Sequence, residues 1–333
     1  MNNATRVVFN LFCASLATNH GQTSAAQMFT VAPDKAMKII SAIQEGDAFL
    51  KQTSLLPVDN QKGRVISVGA QSSVASRTDT SGGTKRAGKS LSAASERSYD
   101  CRQVNFDVAI PYADLDLWAH LPEFHKRAME AVSRVRSTDL LKIGFYGNSD
   151  DAATTNSTTY PLLQDVGKGW LQTLIDEKPA NYITEIVEAS GKIKIGATGD
   201  FKNVDQLIGD MLTQIPVEHR TGNEIVIIGS GLLASRDSAL LGAITSPTED
   251  VAGKSSMIAG LKHVTPSFFP DNGLWITDPK NLQIYIQNSS IRRRVTDTPE
   301  SDCVTDWMSK NIDHNIGNLD AIIAIDAAAV EFV

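Results

Sequence analysis

The chain has 333 residues, more than the roughly 100–200 of one ordinary domain, so it can hold two subdomains sharing a large core. Its composition, 42% hydrophobic and 21% charged, excludes wholesale disorder, and its net charge of −7 excludes a general affinity for nucleic acid outside a local basic patch. The three cysteines, Cys13, Cys101 and Cys303, lie far apart and show neither metal spacing nor a disulfide framework, as expected in a reducing compartment.

At the N-terminus, Arg6 followed by VVFNLFCASLA has the outline of a signal peptide. Asn10 breaks the apolar run, a single charge precedes it, and no small-x-small cleavage site follows. A helix fits better: Ala4, Val8, Leu11 and Phe12 share one face and Leu16 closes the stripe. The competing reading, an exported surface protein, requires removal of this segment near Ala17. No stretch approaches the ~20 apolar residues of a membrane span, so no membrane partner is expected.

After the polar linker HGQTSAAQ, a second helix is expected from Asp34 to Leu50, with Ala36, Ile39, Ile40, Ile43 and Phe49 on its apolar side. RVISVGAQ reads as a strand. The segment SSVASRTDTSGGTKRAGKSLSAASERS has almost no large apolar residues and cannot bury a core, so it is an extended excursion. VNFDVAIPY alternates, with Val104, Phe106, Val108 and Ile110 on one face, and reads as the returning strand of a long hairpin.

The longest helix is expected from Pro122 to about Gly147, with Phe124, Ala128, Val132 and Val135 as its stripe, continued by Leu141 and Phe145. It would span about 40 Å and serve as a spine. NSDDAATTNSTTYP is a polar loop, and PLLQDVGKGWLQTLIDE reads as an amphipathic helix aligning Leu163, Val166, Trp170 and Leu174. FKNVDQLIGDML reads as a helix and EIVIIGS as a short buried strand. LWITD, NLQIYIQ and AIIAID supply further strands. The pattern is mixed α+β, with clustered strands and no internal repeat.

Residues 83–90, GTKRAGKS, fit the phosphate-loop template G-x-x-x-x-G-K-[ST]. Such a loop needs a buried strand before it and a docked helix after it, and ASRTDTSG and LSAASERSYD offer neither. Asp326, the best magnesium-binding partner, stands at the extreme C-terminus. A P-loop enzyme is therefore the weaker alternative. Arg64, Arg77, Lys85, Arg86, Lys89, Arg97 and Arg102, against Asp79, Glu96 and Asp100, instead make a basic arm on an acidic chain, suited to lying across an identical neighbour.

Other chemistry is sparse. The six histidines show no metal spacing, no G-x-S-x-G elbow occurs, GSGLL at 229–233 is too short for a dinucleotide fingerprint, and Asp59, Asp100 and Asp150 form no evident acid/base pair. The run Arg292, Arg293 and Arg294 suits a solvated or intersubunit salt-bridged role, or else a phosphate contact. No catalytic residue, metal site or cofactor is expected.

The stretches TRVVFN, TDTSGGT, VNFDVAIPYADLDLWA, LLQDVGKGWLQ, FFPDNGLWIT, NLQIYIQNSSIRRRV and SKNID run in order from Thr5 to Asp313. In that order they resemble the major capsid proteins of P2-like (Peduovirus-type) tailed bacteriophages, of the HK97-like fold. The resemblance implies a structural protein of the virion capsid, assembled in the bacterial host cytoplasm as hexamers and pentamers of an icosahedral shell enclosing double-stranded DNA without sequence-specific binding. It implies a scaffolding/prohead protease protein and a portal protein as partners. It also implies a division into a cleavable scaffold-like segment (1–29), an N-arm (30–62), an extended E-loop (63–107), a peripheral domain with the spine helix (108–200), an axial domain (201–278) and return strands (279–333). On that reading Arg77, Lys85, Arg86 and Lys89 make intersubunit contacts and the maturation cut falls at Phe29 and Thr30.

Overall fold

The computed structural model describes residues 1–19, 21–65, 75, 77–83, 85–86, 97–118, 124–243 and 257–333. The chain divides into two compact units. The first comprises Met1–Gly63, Tyr99–Gly169 and Gln283–His314, and the second Arg64–Ser98, Trp170–Leu282 and Asn315–Val333. In chain order the elements begin with α1 (Asn3–Asn19), β1 (Phe29–Thr30), α2 (Pro33–Gln44), β2 (Ser54–Val58), β3 (Lys62–Arg64), β4 (Ser98–Asp100), β5 (Arg102–Asn105), β6 (Val108–Pro111), α3 (Tyr112–Trp118) and α4 (Phe124–Tyr146). They continue with α5 (Trp170–Glu177), β7 (Tyr182–Ile183), β8 (Ile193–Ile195), α6 (Val204–Gln214), β9 (Ile225–Ile228), α7 (Ser230–Ala243), β10 (Met257–Ile258), β11 (Leu261–Val264) and β12 (Leu274–Thr277). The last are β13 (Leu282–Gln287), β14 (Arg292–Thr298), β15 (Cys303–Ile316), β16 (Ile322–Ile325) and β17 (Val330–Phe332).

The first unit is built on β15. A seven-stranded sheet runs β1-β14-β15-β13-β2, and β5 and β6 take the other edge of β15. Asn105 opposite Ser309 and Val108 opposite Asp306 keep one register, so VNFDVAIPY is a single strand interrupted at Phe106–Asp107. There Phe106 N donates to Met308 O (2.6 Å) and the Asp107 carboxylate accepts from Met308 N (3.0 Å). This corrects the hairpin expected from sequence: β3 pairs instead with β4. The apolar face of VNFDVAIPY needs a core, which β15 gives and a polar arm does not.

Helix α4 ends as expected but buries a different stripe. Val132, Leu140, Leu141, Ile143 and Phe145 are buried, whereas Val135 is 50% exposed and Arg136 and Ser137 lie inside. A binary apolar pattern cannot anticipate an arginine that buries because it meets a carboxylate. Helix α2 buries Ala36, Ile40 and Ile43, and the Ser137 hydroxyl donates to the Ile43 carbonyl. It stops at Gln44, short of Leu50, because the Asp47 side chain accepts from Phe49 N (2.7 Å) and Leu50 N (3.2 Å) and starts a separate 3-10 turn at Leu50–Gln52. Phe49 still reaches the core, its ring centroid 5.9 Å from that of Phe145.

The helix expected from Pro161 begins only at Trp170. Residues 161–169 turn irregularly, with Leu163 at φ +61°, and Gly169 N donates to Gly147 O (2.9 Å). A Cβ at Gly169 would sit 2.6 Å from Gly144 O, so the close approach to the end of α4 requires glycine. In α1, Leu16 and Ala17 are buried and Phe9, Phe12 and Cys13 pack beside them on Leu115, Val295 and Val304, while Leu11 is 64% exposed. The buried stripe is thus rotated from the expected one, because this helix carries apolar residues on two faces.

The second unit holds a six-stranded sheet ordered β10-β11-β9-β12-β16-β7. β9 is buried throughout, as its unbroken IVII run predicts. Val204, Leu207, Ile208 and Met211 of α6 pack on its sheet beside Leu232 of α7. The Asn203 side chain caps α6 by accepting from Gln206 N (2.9 Å).

Candidate assembly surfaces

The arm has a firm root. In the first unit Tyr99 stacks on Tyr285 with centroids 4.5 Å apart, Lys62 pairs with Asp100 (2.9 Å), and Arg102 pairs with Asp150 (2.7 Å). In the second unit Arg97 pairs with Glu177, donates to Ile316 O, and donates to the Asn315 side chain at 2.6 Å. Arg97 and Arg102, counted above among the arm's cations, are therefore committed within the chain.

Arg77, Lys85 and Arg86 are exposed on described parts of the arm, and Lys89 lies outside the described residues. The Asp79 carboxylate accepts from the Ser81 hydroxyl (2.6 Å) and Ser81 N (2.9 Å), which hold it below the usual carboxylate range. Residues 77–83 form no strand, so the described part of the GTKRAGKS neighbourhood lacks the element that delivers a phosphate loop.

Two further sequence-predicted regions lie side by side. β1 pairs antiparallel with β14, setting Phe29 opposite Arg293 and Thr30 opposite Arg292. Val31 N donates to Ile291 O and Val295 N to Ala25 O, both at 2.9 Å. The segment before it is held by Arg6–Asp297 (3.5 Å) and by Asn2 N on Asp116 (2.9 Å). Tyr112 donates to Asp297, and this bond pushes the phenol up to about 12. The expected cut thus falls inside a hydrogen-bonded ladder.

The arginine run splits by strand alternation. Arg293 is buried and grips Asp306 with two bonds, 3.0 and 2.9 Å, while Arg292 and Arg294 are exposed. Arg136 joins the same carboxylate (3.1 Å) and also donates to Phe106 O (3.1 Å). Two buried guanidiniums therefore share one aspartate. Sequence reading missed Asp306, Lys310 and Trp307; their strand alternation within TDWMSKNID is a signal, since it places Asp306 and Lys310 on the core face.

Comparison with known proteins agrees with the geometry. The family model described as phage major capsid protein, P2 family, matches residues 8–328. The "Capsid proteins" of Escherichia phage P2 are 33% identical over 327 residues, covering 94% of this chain and 91% of that one. The "Major capsid protein" of Serratia phage KSP20 is 32% identical, with 98% and 97% covered. A solved subunit from the satellite phage P4 procapsid, a structure including the size determination (Sid) protein, superposes with a TM-score of 0.81 at 31% identity, with 100% and 99% covered.

Proposed function

The chain belongs to the P2 family of phage major capsid proteins, and from that premise we propose how its copies meet. It is a structural protein of the virion shell with the HK97-like fold. Its copies assemble as hexamers and pentamers of an icosahedral shell around double-stranded DNA, with a scaffolding/prohead protease protein and a portal protein as further partners. Among the described residues no helix is long and apolar enough to cross a membrane.

The observation that carries this reading is the arm: anchored at its root by Arg97 and presenting exposed cations at Arg77, Lys85 and Arg86. On a chain of net charge −7, such an arm favours a head-to-tail contact in which its tip meets a different, acidic surface of the neighbour. Residues 63–107 act as the extended loop, α4 as the spine of the peripheral domain (108–200), 201–278 as the axial domain, and 279–333 as strands returning to the peripheral domain. Residues 1–29 form a removable segment preceding the N-arm at 30–62. The cut at Phe29 and Thr30 requires β1 to leave β14 first.

Negative-stain electron microscopy of the purified protein, alone and with candidate scaffold, tests the reading. Closed shells or rings of five and six subunits are expected. A strictly monomeric protein under both conditions would overturn it.

A further inference from the structure

The outward face of the β14–β15 ladder is open around one aromatic residue. Trp307 is 39% exposed, directly opposite Arg294, and its indole N–H donates to the Thr296 hydroxyl (3.1 Å), which fixes the ring. Arg292, two residues along the same face, is exposed as well. Among the described residues neither Arg292 nor Arg294 has an ion-pair or side-chain hydrogen-bond partner. Tryptophan and arginine are the residues that most often carry binding energy at protein interfaces, particularly when the ring is already fixed.

The same chain exposes a complementary feature. In the turn after β7, Ile186 and Val187 are 37% and 57% exposed, and the next residue, Glu188, is exposed without an ion-pair or hydrogen-bond partner among the described residues. The turn is rigid: Glu185 accepts from Ala189 N (3.0 Å) and Gly191 N (2.7 Å), and Ala189 sits at φ +61°. Both features are compact: Arg292 and Arg294 stand two residues apart on one strand, about 7 Å, and the apolar pair and the carboxylate are consecutive in one turn.

We propose that the Arg292–Arg294–Trp307 face is a contact surface for a second copy of this chain, seated by that copy's Ile186–Val187–Glu188 turn. The apolar pair covers the indole, and the carboxylate meets the guanidiniums. The two surfaces are different patches of one chain, so the contact is heterologous and propagates around a ring. Two cations are too few for duplex DNA, which is gripped by many phosphate contacts, and a ring pinned to Thr296 is poorly placed to stack on bases.

This inference rests on the capsid reading, and the test separates their failures. Full-length wild type, R292E/R294E, E188R, and R294E/E188R are compared by electron microscopy and sedimentation, with thermal unfolding of the unassembled subunits as a folding control. If wild type itself forms no particles, alone or with candidate scaffold, the capsid reading fails. With wild type assembling, each charge reversal is expected to lower particle yield roughly tenfold or more at unchanged subunit stability, and the swapped pair to recover most of it. Wild-type yield from R292E/R294E, or a swap that restores nothing, would overturn the contact. So would variant shells of normal yield that lose only their DNA, which would assign the face to nucleic acid.

Discussion

The side-chain nitrogen of Lys310 lies 4.4 Å from the centroid of the Phe106 ring, buried and with no hydrogen-bond partner among the described residues. Burial, with the nearby Arg136 charge second, pulls its pKa down to about 7. In the unfolded chain the same ammonium keeps its proton to about pH 10.4. Between these values the unfolded state holds more protons, so stability rises with pH, by up to about 1.4 kcal/mol per unit, and this gain is absent below pH 7. Lys310→Met is expected to remove that slope and to stabilise the subunit at pH 6.5. Urea unfolding of both proteins from pH 6.5 to 9.5 checks this; parallel curves would reject it.

Asp306 neutralises Arg136 and Arg293 together. Asp306→Asn removes the carboxylate that both buried guanidiniums are bonded to and is expected to cost about 3–5 kcal/mol. Arg293→Met leaves Asp306 paired with Arg136 and should cost less. Chemical denaturation of both variants measures the difference, and an equal loss would contradict the shared-carboxylate account.

Gly169 touches the end of α4 where a side chain has no room. Gly169→Ala is expected to destabilise by about 2–4 kcal/mol. Gly82, where no atom of the described residues would come within 4 Å of an added Cβ, provides the control: Gly82→Ala should leave the melting temperature unchanged.

Helix α1 covers Leu115, Val295 and Val304 through Leu16 and its neighbours. Leu16→Asp in the full-length chain is expected to release the helix at a cost of about 2–5 kcal/mol and to raise binding of a hydrophobic dye. Unchanged dye fluorescence would mean that α1 stays docked.

Reversing the arm charges with K85E/R86E is expected to abolish shells without moving subunit melting, since both side chains are exposed. Normal shells would show that the arm tip carries no assembly contact.

Much of the architecture was legible because it rests on short-range rules. The 3.6 period placed α4 and the IVII run placed β9. The failures share a physical cause, which is that a distant partner decides. Arg136 reads as solvent until Asp306 is seen, 170 positions away, and Leu163 reads as helical until the Gly147–Gly169 hydrogen bond is known. Of the site residues, the exposure of Lys85 and Arg86 follows from their polar surroundings. The division of Arg293 from Arg292 and Arg294 needed the strand assignment of β14.

The middle strands of both sheets come from the end of the chain. β15 joins β14 to β5 and β6, and β16 joins β12 to β7. A ribosome making this protein from the N-terminus releases β5, β6 and β7 long before the strands that hold them exist. These early segments wait for partners two hundred or so positions downstream in the first unit, a topology that favours slow, late folding. A nascent chain therefore cannot complete either sheet until β15 and β16 have been made.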